Sequence, residues 1–401
     1  MQNEATRDFI HQHLEADVRQ LALQGAKDPE VDLPWALEQI AGWQKARTKI
    51  PSWAAIGGIL YPPHLSMEQC SSERTARYKA GIAGAGNLFM DLTTGFGLDA
   101  AFISQGFEKA ICVERQEQLC KIISENFRTL GLSQIEVVCG DCTECLHTMP
   151  HADLLMIDPA RRDEHGARTF GIADCTPNVL EMMDELTEKA TRIIIKLSPM
   201  LDWRKAVDDI ERGNHHVNSV HIVSVDNECK ELLLEISQEI PQTEPSLRVV
   251  CINLLSDGRE ERFEFDAKVS SDTATTCFAE NPGFLFEPNA SMMKAGCFAQ
   301  LSERFSLSQL DTNSHLFVSD IDVEDFPGRR FIIEKVTSMN KRDLKEALTG
   351  ISHANIAVRN FPMSVAELRK RLKLQDGGDV YIFATTVANQ GHRLFICRKK
   401  S

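Results

Sequence analysis

The sequence predicts an α/β fold: a mostly parallel sheet with antiparallel end strands, a helical region before it and a small α+β domain after it. Short apolar runs without polar alternation, typical of strands covered on both faces, recur between residues 88 and 197 and alternate with helical patterns. The region before residue 87 shows helical spacing alone, and the region after residue 328 mixes short strand and helix patterns. We therefore expect four parts, at 1–86, 87–270, 271–327 and 328–401.

Length, hydropathy and cysteine usage narrow the class of protein. The 401 residues are enough for two or three domains. The chain has no apolar run of about 18 residues, the length that a membrane helix needs, and its first residues, MQNEATRDFIHQHLE, are too polar for a signal peptide. Twelve cysteines without a compact disulfide pattern favour reduced thiols and a cytoplasmic location.

The charge is unevenly distributed along the chain. The net charge is −14, but residues 328–401 hold 15 Lys and Arg against 6 Asp and Glu, a balance of +9 that leaves −23 for the first 327 residues. A basic C-terminal part on an acidic body predicts that a polyanion, most simply nucleic acid, binds at residues 328–401. The alternative is a solvated basic surface without a partner.

The N-terminal region is predicted to be helical because apolar residues recur at helical intervals, for example over residues 8–23. Residues 66–69, SMEQ, resemble a capping box, which predicts a helix from Ser66 to about Lys79. Residues 81–86 are rich in glycine like a phosphate-binding loop, but they precede a strand and lack the closing Gly-Lys-Ser/Thr. We interpret them as a flexible lead-in to the first strand.

Strand and helix patterns alternate from residue 88. Strands are predicted at 88–92, 110–114, 135–139, 153–158 and 192–197, with helices at 98–105, 116–130 and 177–189. After a helix near 202–212, further strands are predicted at 220–225, 231–236, 247–255 and 262–265. Asp257 and Gly258 supply a hairpin turn between the last two. Beyond them, residues 288–305 have a helical pattern, and short alternating elements follow from residue 331.

The turn after the first strand carries the first functional signal. In residues 88–100, LFMDLTTGFGLDA, an apolar strand ends at Asp91, and Gly95 and Gly97 follow before a helix begins. Glycines let the backbone adopt positive φ and approach a ligand closely, and this order opens a nucleotide-binding βαβ unit. Glu114 comes 23 residues after Asp91, near the spacing expected for an acid that binds a ribose. The spacing suits NAD, FAD and S-adenosylmethionine (SAM) equally, and an ordinary turn is the alternative.

Two further acids distinguish between these three candidate cofactors. Asp141 follows the third strand, and the fourth strand ends in Asp158-Pro159 within the run DLLMIDPARR. The ordered set resembles motifs I to IV of the class I SAM-dependent methyltransferases, which have a Rossmann-like sheet, over roughly residues 87–270. The resemblance implies that SAM is the cofactor. It also implies a set of SAM-binding residues, namely Asp91, Thr93, Gly95, Gly97, Glu114 and Asp141.

The resemblance also implies where the methyl group is transferred. In this family the acid at the position of Asp158 lies nearest to the methyl group, and the carbonyl groups of Asp158-Pro159 can accept hydrogen bonds from an exocyclic amine. Amino-directed members continue with Pro and an aromatic residue, whereas Ala160 and Arg161 stand here. Arg161 is predicted to stack on the acceptor or to bind a phosphate, with a structural ion pair as the alternative. Lys196, at the end of the fifth strand, is predicted to contact the substrate, or else to extend into solvent.

The whole chain resembles a group of bacterial proteins assigned to the SAM-dependent methyltransferases, which carry a ferredoxin-like linker and a C-terminal THUMP-like domain. The matching segments are QCSSERTARYKA (69–80), DLTTGFGLDA (91–100), IDPARR (157–162), KLSP (196–199), FEPNASMMKAG (286–296) and the region from GRRF (328–331) onward. The glycine turn is also similar to that of some ribosomal RNA guanine-N2 methyltransferases. THUMP domains are associated with RNA modification, so the resemblance implies an RNA substrate.

Three cysteines have the spacing of an iron–sulfur motif. Cys139, Cys142 and Cys145 form a CxxCxxC run, but Met149-Pro150 stands where a bacterial ferredoxin would have Cys-Pro. The run also spans the end of a predicted strand, which is a poor cradle for a cluster. We therefore expect incidental thiols and propose no metal site.

Together these features predict a cytoplasmic SAM-dependent methyltransferase that modifies an RNA base, with an exocyclic amine favoured as the acceptor. Two alternatives stay open. One is an RNA-binding or scaffold protein that keeps the fold with little or no activity. The other is a methyltransferase for a protein or a small molecule.

Overall fold

The structure is a computed structural model, and it describes residues 3–160, 171–237, 246–268 and 282–400. The chain divides into two compact units: the first is Met1–Val220 with Glu231–Pro245, and the second is His221–Lys230 with Ser246–Ser401. The four parts expected from the sequence stay a prediction, since the two units divide the chain at other positions. Within the described ranges, no helix is both long enough and apolar enough to cross a membrane.

Helices make up the start of the first unit, in agreement with the spacing of its apolar residues. They are α1 (Glu4–His13), α2 (Val18–Gln24), α3 (Leu33–Lys49), α4 (Pro51–Ala54), α5 (His64–Gln69) and α6 (Glu73–Ala83). The single helix predicted over residues 8–23 is two helices. Asp17 caps α2, because its carboxylate accepts hydrogen bonds from the backbone N–H groups of Arg19 and Gln20.

A break at residues 70–72 separates α5 from α6. The prediction of one helix opened by a capping box at Ser66 is wrong, because Ser66 lies inside α5. Ser72 is the N-cap residue of α6, and its hydroxyl accepts a hydrogen bond of 3.3 Å from the backbone N–H of Thr75. α6 then continues through Gly81. The glycine-rich stretch is therefore helical at its start and only later leads into the first strand.

Parallel strands form the centre of the first unit. They are β1 (Gly86–Asp91), β2 (Phe107–Glu114), β3 (Ile135–Cys139), β4 (Ala152–Ile157) and β5 (Ala190–Leu197), in the order β3-β2-β1-β4-β5. The helices that follow them in turn are α7 (Leu98–Ile103), α8 (Glu117–Thr129), α9 (Cys142–Thr148), α10 (Val179–Lys189) and α11 (Trp203–Glu211). Successive residues such as Phe89 and Met90 are buried on opposite faces of the sheet, which explains the absence of polar alternation.

The sheet of the first unit has an antiparallel end, as predicted. After α11 come β6 (Val217–Val225) and β7 (Glu228–Ser237), and β7 runs antiparallel to β5 with Leu234 opposite Ile195. The turn between them contains Asp226 and Asn227, whose φ angles of 47° and 65° are both positive, as a two-residue hairpin requires. Both strands pass from one unit to the other.

The second unit contains a hairpin and a second sheet. The hairpin is β8 (Arg248–Leu254) and β9 (Glu260–Asp266), joined by the predicted turn, where Gly258 has a φ of +86°. The second sheet consists of β10 (Phe284–Pro288), β11 (Ser308–Gln309), β12 (Phe317–Ser319), β13 (Gly328–Thr337), β14 (Asn355–Arg359), β15 (Val380–Val387) and β16 (Gly391–Lys399), in the order β11-β12-β10-β13-β16-β15-β14. Its helices are α12 (Ala290–Ala295), α13 (Phe298–Phe305), α14 (Lys341–Ala347) and α15 (Val365–Leu372).

Two details of the second unit depart from the sequence pattern. The helix predicted over residues 288–305 is two helices, because Gly296 ends α12 in the left-handed conformation with a φ of +68°. β10 and β13 are neighbours, with Glu287 opposite Arg329. One sheet therefore spans the boundary predicted at residue 328.

Two helical glycines give a test of this fold. A Cβ at Gly42 in α3 would lie 2.3 Å from the Cβ of Tyr61, whereas a Cβ at Gly81 in α6 would meet no atom within 4 Å outside its own helix. We expect Gly42→Ala to destabilise the protein by about 1–3 kcal/mol through overpacking. Gly81→Ala should stabilise it by up to about 1 kcal/mol through helix propensity. Urea unfolding measures both, and a loss of stability in Gly81→Ala would contradict a helix at this position.

Candidate functional site

Charged residues of the first unit collect at the carboxyl edge of its parallel strands. β1 ends in Asp91 and β2 in Glu114. Asp158 directly follows β4, and Lys196 is the last residue but one of β5. Because parallel strands end at the same edge, where α/β folds bind their ligands, the structure brings these four predicted residues to one side of the sheet.

The turn between β1 and α7 is tight. Asp91 Oδ1 accepts a hydrogen bond of 3.0 Å from the backbone N–H of Thr93. Gly95 and Gly97 have φ angles of +56° and +78°, and a Cβ at Gly97 would lie 2.8 Å from the ring of Phe127 on α8. The backbone conformation therefore favours glycine at both positions, and packing also requires it at Gly97.

Glu114 closes this turn from the neighbouring strand. Its Oε2 accepts a hydrogen bond of 2.9 Å from the backbone N–H of Gly95, and its Oε1 accepts one of 2.8 Å from that of Gln116. The side chain is buried. Since a carboxylate has about four lone-pair sites, two hydrogen bonds leave Glu114 able to accept more from a ligand.

Thr93 joins the glycine turn to the end of β4. Its hydroxyl oxygen accepts a hydrogen bond of 2.6 Å from the backbone N–H of Asp158. Beside it, the backbone N–H of Leu92 donates to the carbonyl of Met156 at 3.0 Å. The backbone of Asp158 is therefore fixed against the turn, while its side chain is 38% exposed and accessible to a ligand.

Lys196 is a buried cation between two acids. Its Nζ donates to Asp158 Oδ2 at 2.6 Å and lies 3.5 Å from Asp99 Oδ2. Burial alone would lower the pKa of Lys196, but the charges of Asp158, Asp99 and Glu231 raise this pKa well above its usual range. Lys196 is therefore charged at any physiological pH and orients the carboxylate of Asp158.

The carboxyl group of Asp91 is sensitive to pH. Its burial raises the pKa from the ordinary 3.8 to about 7. The negative charges of Asp99 and Asp158 add to this shift, while the backbone N–H of Thr93 and the charge of Lys196 oppose it. Asp91 therefore changes its charge close to neutral pH.

The other predicted site residues have different surroundings. Asp141 is exposed and caps α9, where its Oδ1 accepts a hydrogen bond of 2.8 Å from the backbone N–H of Thr143. The hydroxyl and N–H of Thr143 lower the pKa of Asp141. Pro159 is buried directly after Asp158. Arg161 lies outside the described residues.

A second group of charged residues at this edge was not predicted from the sequence. Lys79 on α6 is fully buried, lies 3.2 Å from Asp99 on α7 and forms an ion pair with Glu231 on β7. Ser71 donates a hydrogen bond of 2.7 Å to Asp99. One signal was available in the sequence, because Lys79 is three residues after the buried Ala76 and shares its helix face. A lysine at an apolar position suggests a buried partner.

The three closely spaced cysteines lie at the end of β3 and in α9. Cys139 is exposed, Cys142 is buried and Cys145 is partly buried. Across the residues with a described position, no group of three or more His, Cys, Asp and Glu side chains is arranged to hold a metal ion.

Comparisons with known proteins agree with this architecture. Residues 328–399 match a family model described as THUMP domain-like, and residues 284–327 match one described as a ferredoxin-like domain. The chain is similar to the crystal structure of a "putative methyltransferase" from Porphyromonas gingivalis W83, with 30% identity and a TM-score of 0.86 over 99% of this chain and 98% of that chain. No curated protein sequence gives a significant match.

Other solved structures align with less than half of the chain. An rRNA methylase from Streptococcus thermophilus shares 17% identity with a TM-score of 0.31 over 41% of this chain and 94% of that chain. TrmK from M. capricolum, in complex with S-adenosyl-homocysteine (SAH), shares 15% identity with a TM-score of 0.32 over 42% and 71%. At these scores the likeness supports no conclusion about this chain.

Three findings define a class I methyltransferase fold. The sheet is mostly parallel with an antiparallel end, acids follow in order along its carboxyl edge, and the fold matches a solved structure over nearly the whole chain. The chain belongs to the same family as the P. gingivalis protein. Its own residues 328–399 add a THUMP-like domain to this fold. The family resemblance predicted from the sequence is confirmed.

The hydrogen bond between Thr93 and Asp158 gives a test of the site's construction. We expect Thr93→Val to lower the free energy of unfolding by about 1–3 kcal/mol, because the partly buried N–H of Asp158 loses its acceptor. Thr93→Ser keeps the hydroxyl and should cost less than about 1 kcal/mol. Chemical denaturation of both variants measures the difference. A larger loss in Thr93→Ser than in Thr93→Val would show that the methyl group of Thr93, and not its hydroxyl, holds the turn.

Proposed function

We propose that this protein is a SAM-dependent methyltransferase that methylates RNA, with an exocyclic amine of a base as the favoured acceptor. The observation that carries the proposal is the hydrogen bond between Thr93 and Asp158, which joins a glycine turn to an Asp-Pro segment at one sheet edge. An enzyme that moves a methyl group from a cofactor to a base has to hold the cofactor and acceptor sites in contact.

The charge of the site supports SAM as the cofactor. The carboxylates of this cluster, Asp91, Asp99, Asp158 and Glu231, outnumber its two ammonium groups, those of Lys79 and Lys196. SAM carries a sulfonium, an ammonium and a carboxylate group, and its net charge of about +1 is attracted by excess negative charge. NAD and FAD carry a pyrophosphate instead, which such a site would repel.

The other turn residues suit the remaining parts of SAM. Glu114 keeps acceptor capacity for the ribose hydroxyls, and the exposed Asp141 at the next strand end can accept from the adenine amino group. Thr93, Gly95 and Gly97 form the backbone against which the methionine part would lie. These assignments follow the family motif residue by residue.

The Asp-Pro segment supports an amine as the acceptor. SAM supplies a methyl group on a positively charged sulfur, and its transfer is an in-line displacement that depends on positioning. Lys196 holds Oδ2 of Asp158. The other carboxylate oxygen and the backbone carbonyls of Asp158 and Pro159 can then accept the N–H groups of an exocyclic amine. These hydrogen bonds direct the nitrogen lone pair toward the methyl carbon.

The second unit supports RNA as the substrate. Residues 328–399 match a THUMP-like family model, and residues 328–401 have a net charge of +9. Some of this charge is paired internally, because Arg329 and Arg359 both form ion pairs with the buried Glu287. Exposed basic side chains remain on α14, on α15 and just after it, namely Lys341, Arg342, Lys345, Lys370, Arg371 and Lys373. Such residues attract a phosphate backbone.

Transfer of a tritium-labelled methyl group separates this proposal from its rivals. The purified protein is incubated with labelled SAM and with total RNA, total protein or the small-molecule fraction from a strain that lacks it. Label in RNA supports the proposal, and label in protein or small molecules alone identifies a different substrate. SAM binding without transfer to any fraction would leave an RNA-binding or scaffold role.

The proposed roles of Asp158 and Gly97 predict losses in two different steps, methyl transfer and SAM binding. Asp158→Ala should reduce kcat by about 100-fold or more, because the acceptor loses its carboxylate partner. The Kd for SAM should stay within a few-fold, because the glycine turn keeps its own hydrogen bonds. Gly97→Val should abolish SAM binding, because the side chain strains a residue with a φ of +78° and displaces the turn. Calorimetry with SAM and single-turnover transfer assays measure the two effects. Loss of SAM binding in Asp158→Ala would assign this residue to the cofactor.

The titration of Asp91 predicts a pH-dependent affinity for SAM. The pKa of Asp91 is raised to about 7, so its carboxylate is charged above that pH and neutral below it. A charged Asp91 attracts the cationic groups of SAM. The affinity should therefore rise up to about tenfold per pH unit between about pH 5.5 and 7 and level off above. Calorimetry across this range tests it, with Asp91→Asn as the control whose affinity should be nearly independent of pH.

A further inference from the structure

A lysine with no exposed surface lies behind the proposed methyl-transfer site. The Nζ of Lys79 donates to the hydroxyl of Ser71 at 3.0 Å, lies 3.2 Å from Asp99 Oδ1 and forms an ion pair with Glu231. Ser71 and Glu231 are themselves buried, and the side chain of Asp99 is only 11% exposed. A buried ammonium group is tolerated only where its charge and its hydrogen bonds are compensated, as they are here.

Asp99 connects this lysine to the site. The hydroxyl of Ser71 donates to Asp99 Oδ2 at 2.7 Å, and the same oxygen lies 3.5 Å from the Nζ of Lys196. Lys196 in turn donates to Asp158 Oδ2 at 2.6 Å. The charges alternate in sign along Lys79, Asp99, Lys196 and Asp158, so each side chain is held by its neighbours.

We propose that Lys79 and Asp99 are positioning residues of the methyl-transfer site, which fix Lys196 and through it the carboxylate of Asp158. The inference rests on the proposed function. Lysine has a long flexible side chain, and an ion pair with Asp158 alone would let both groups move together toward solvent. Asp99 holds Lys196 from the buried side, and Lys79 with Ser71 holds Asp99.

A purely structural ion pair accounts less well for this arrangement. Buried ion pairs can often be replaced by apolar residues without loss of stability, so stability alone gives little reason to bury Lys79 completely. The charge of Asp99 also acts on two groups of the site at once, because it contributes to raising the pKa values of both Asp91 and Lys196. The ion pairs behind the site therefore also set the charge within it.

The variant Asp99→Asn tests the proposal while preserving side-chain shape. It keeps an acceptor for Ser71 and removes the negative charge beside Lys196. We expect kcat for methyl transfer to fall about tenfold or more, with KM for RNA and the Kd for SAM above pH 8 within about threefold. The matched control is Asp209→Asn on α11, a partly buried aspartate paired with Arg212, which should leave kcat unchanged.

A second readout does not depend on catalysis. The charged and titratable groups that act on Asp91 are Asp99 from α7, Asp158 after β4, Lys196 from β5 and the thiol of Cys112 from β2. Removal of the Asp99 charge lowers the pKa of Asp91. The pH at which SAM affinity levels off should therefore move down by about half a unit or more in Asp99→Asn, and it should not move in Asp209→Asn.

The outcomes of these experiments are distinct. The proposal is supported if Asp99→Asn lowers kcat and also shifts the pH dependence of SAM affinity. It is overturned if a folded variant leaves both kcat and this pH dependence unchanged. If the wild-type protein binds SAM but labels no RNA, the proposed function fails. The pH dependence of SAM affinity then decides alone whether Asp99 acts on the site. Absence of SAM binding would overturn both. Should Asp99→Asn not fold, Ser71→Ala replaces it, with an expected loss in kcat of about threefold.

Discussion

Parallel strands that end at one edge bring their terminal charges into a small volume with little water, where every charge needs a partner. In this protein that constraint applies to Lys79, Asp99 and Lys196, whose side chains are at most 11% exposed. An ion left unpaired in such a place costs several kcal/mol. Three elements therefore depend on one another: the glycine turn, the end of β4 and the face of α6. A change in any of them leaves a charged group of another without its partner.

This mutual dependence gives the site a rigid side and an open side. The backbone of Asp158 is fixed by the hydroxyl of Thr93, and one oxygen of its carboxylate is held by Lys196. The remaining part of its side chain faces outward. Groups that are already oriented do not have to reorganise when charge moves during a reaction, and such preorganisation is a large part of what catalytic sites contribute.

The sequence was informative wherever a local pattern determines the structure. Continuous apolar runs predicted β1 to β5, and the acids after them predicted which residues meet at the edge. The break between α5 and α6 was missed because Ser66 and Ser72 both have N-cap chemistry, and only packing decides between them. The pairing of Lys79 with Glu231 was out of reach, because 152 residues separate them and the position of β7 depends on the whole sheet. Which molecules the site binds stays a prediction.

The first unit is not continuous along the chain, since β6 and β7 each pass into the second unit. Glu231 leaves the ribosome 152 residues after Lys79. In a nascent chain that stops before β7, Lys79 on α6 lacks its carboxylate partner Glu231. In the same chain, β5 lacks its antiparallel neighbour. Domains usually fold in the order in which they are synthesised. Here the N-terminal unit reaches its full stability only after translation has entered the C-terminal one.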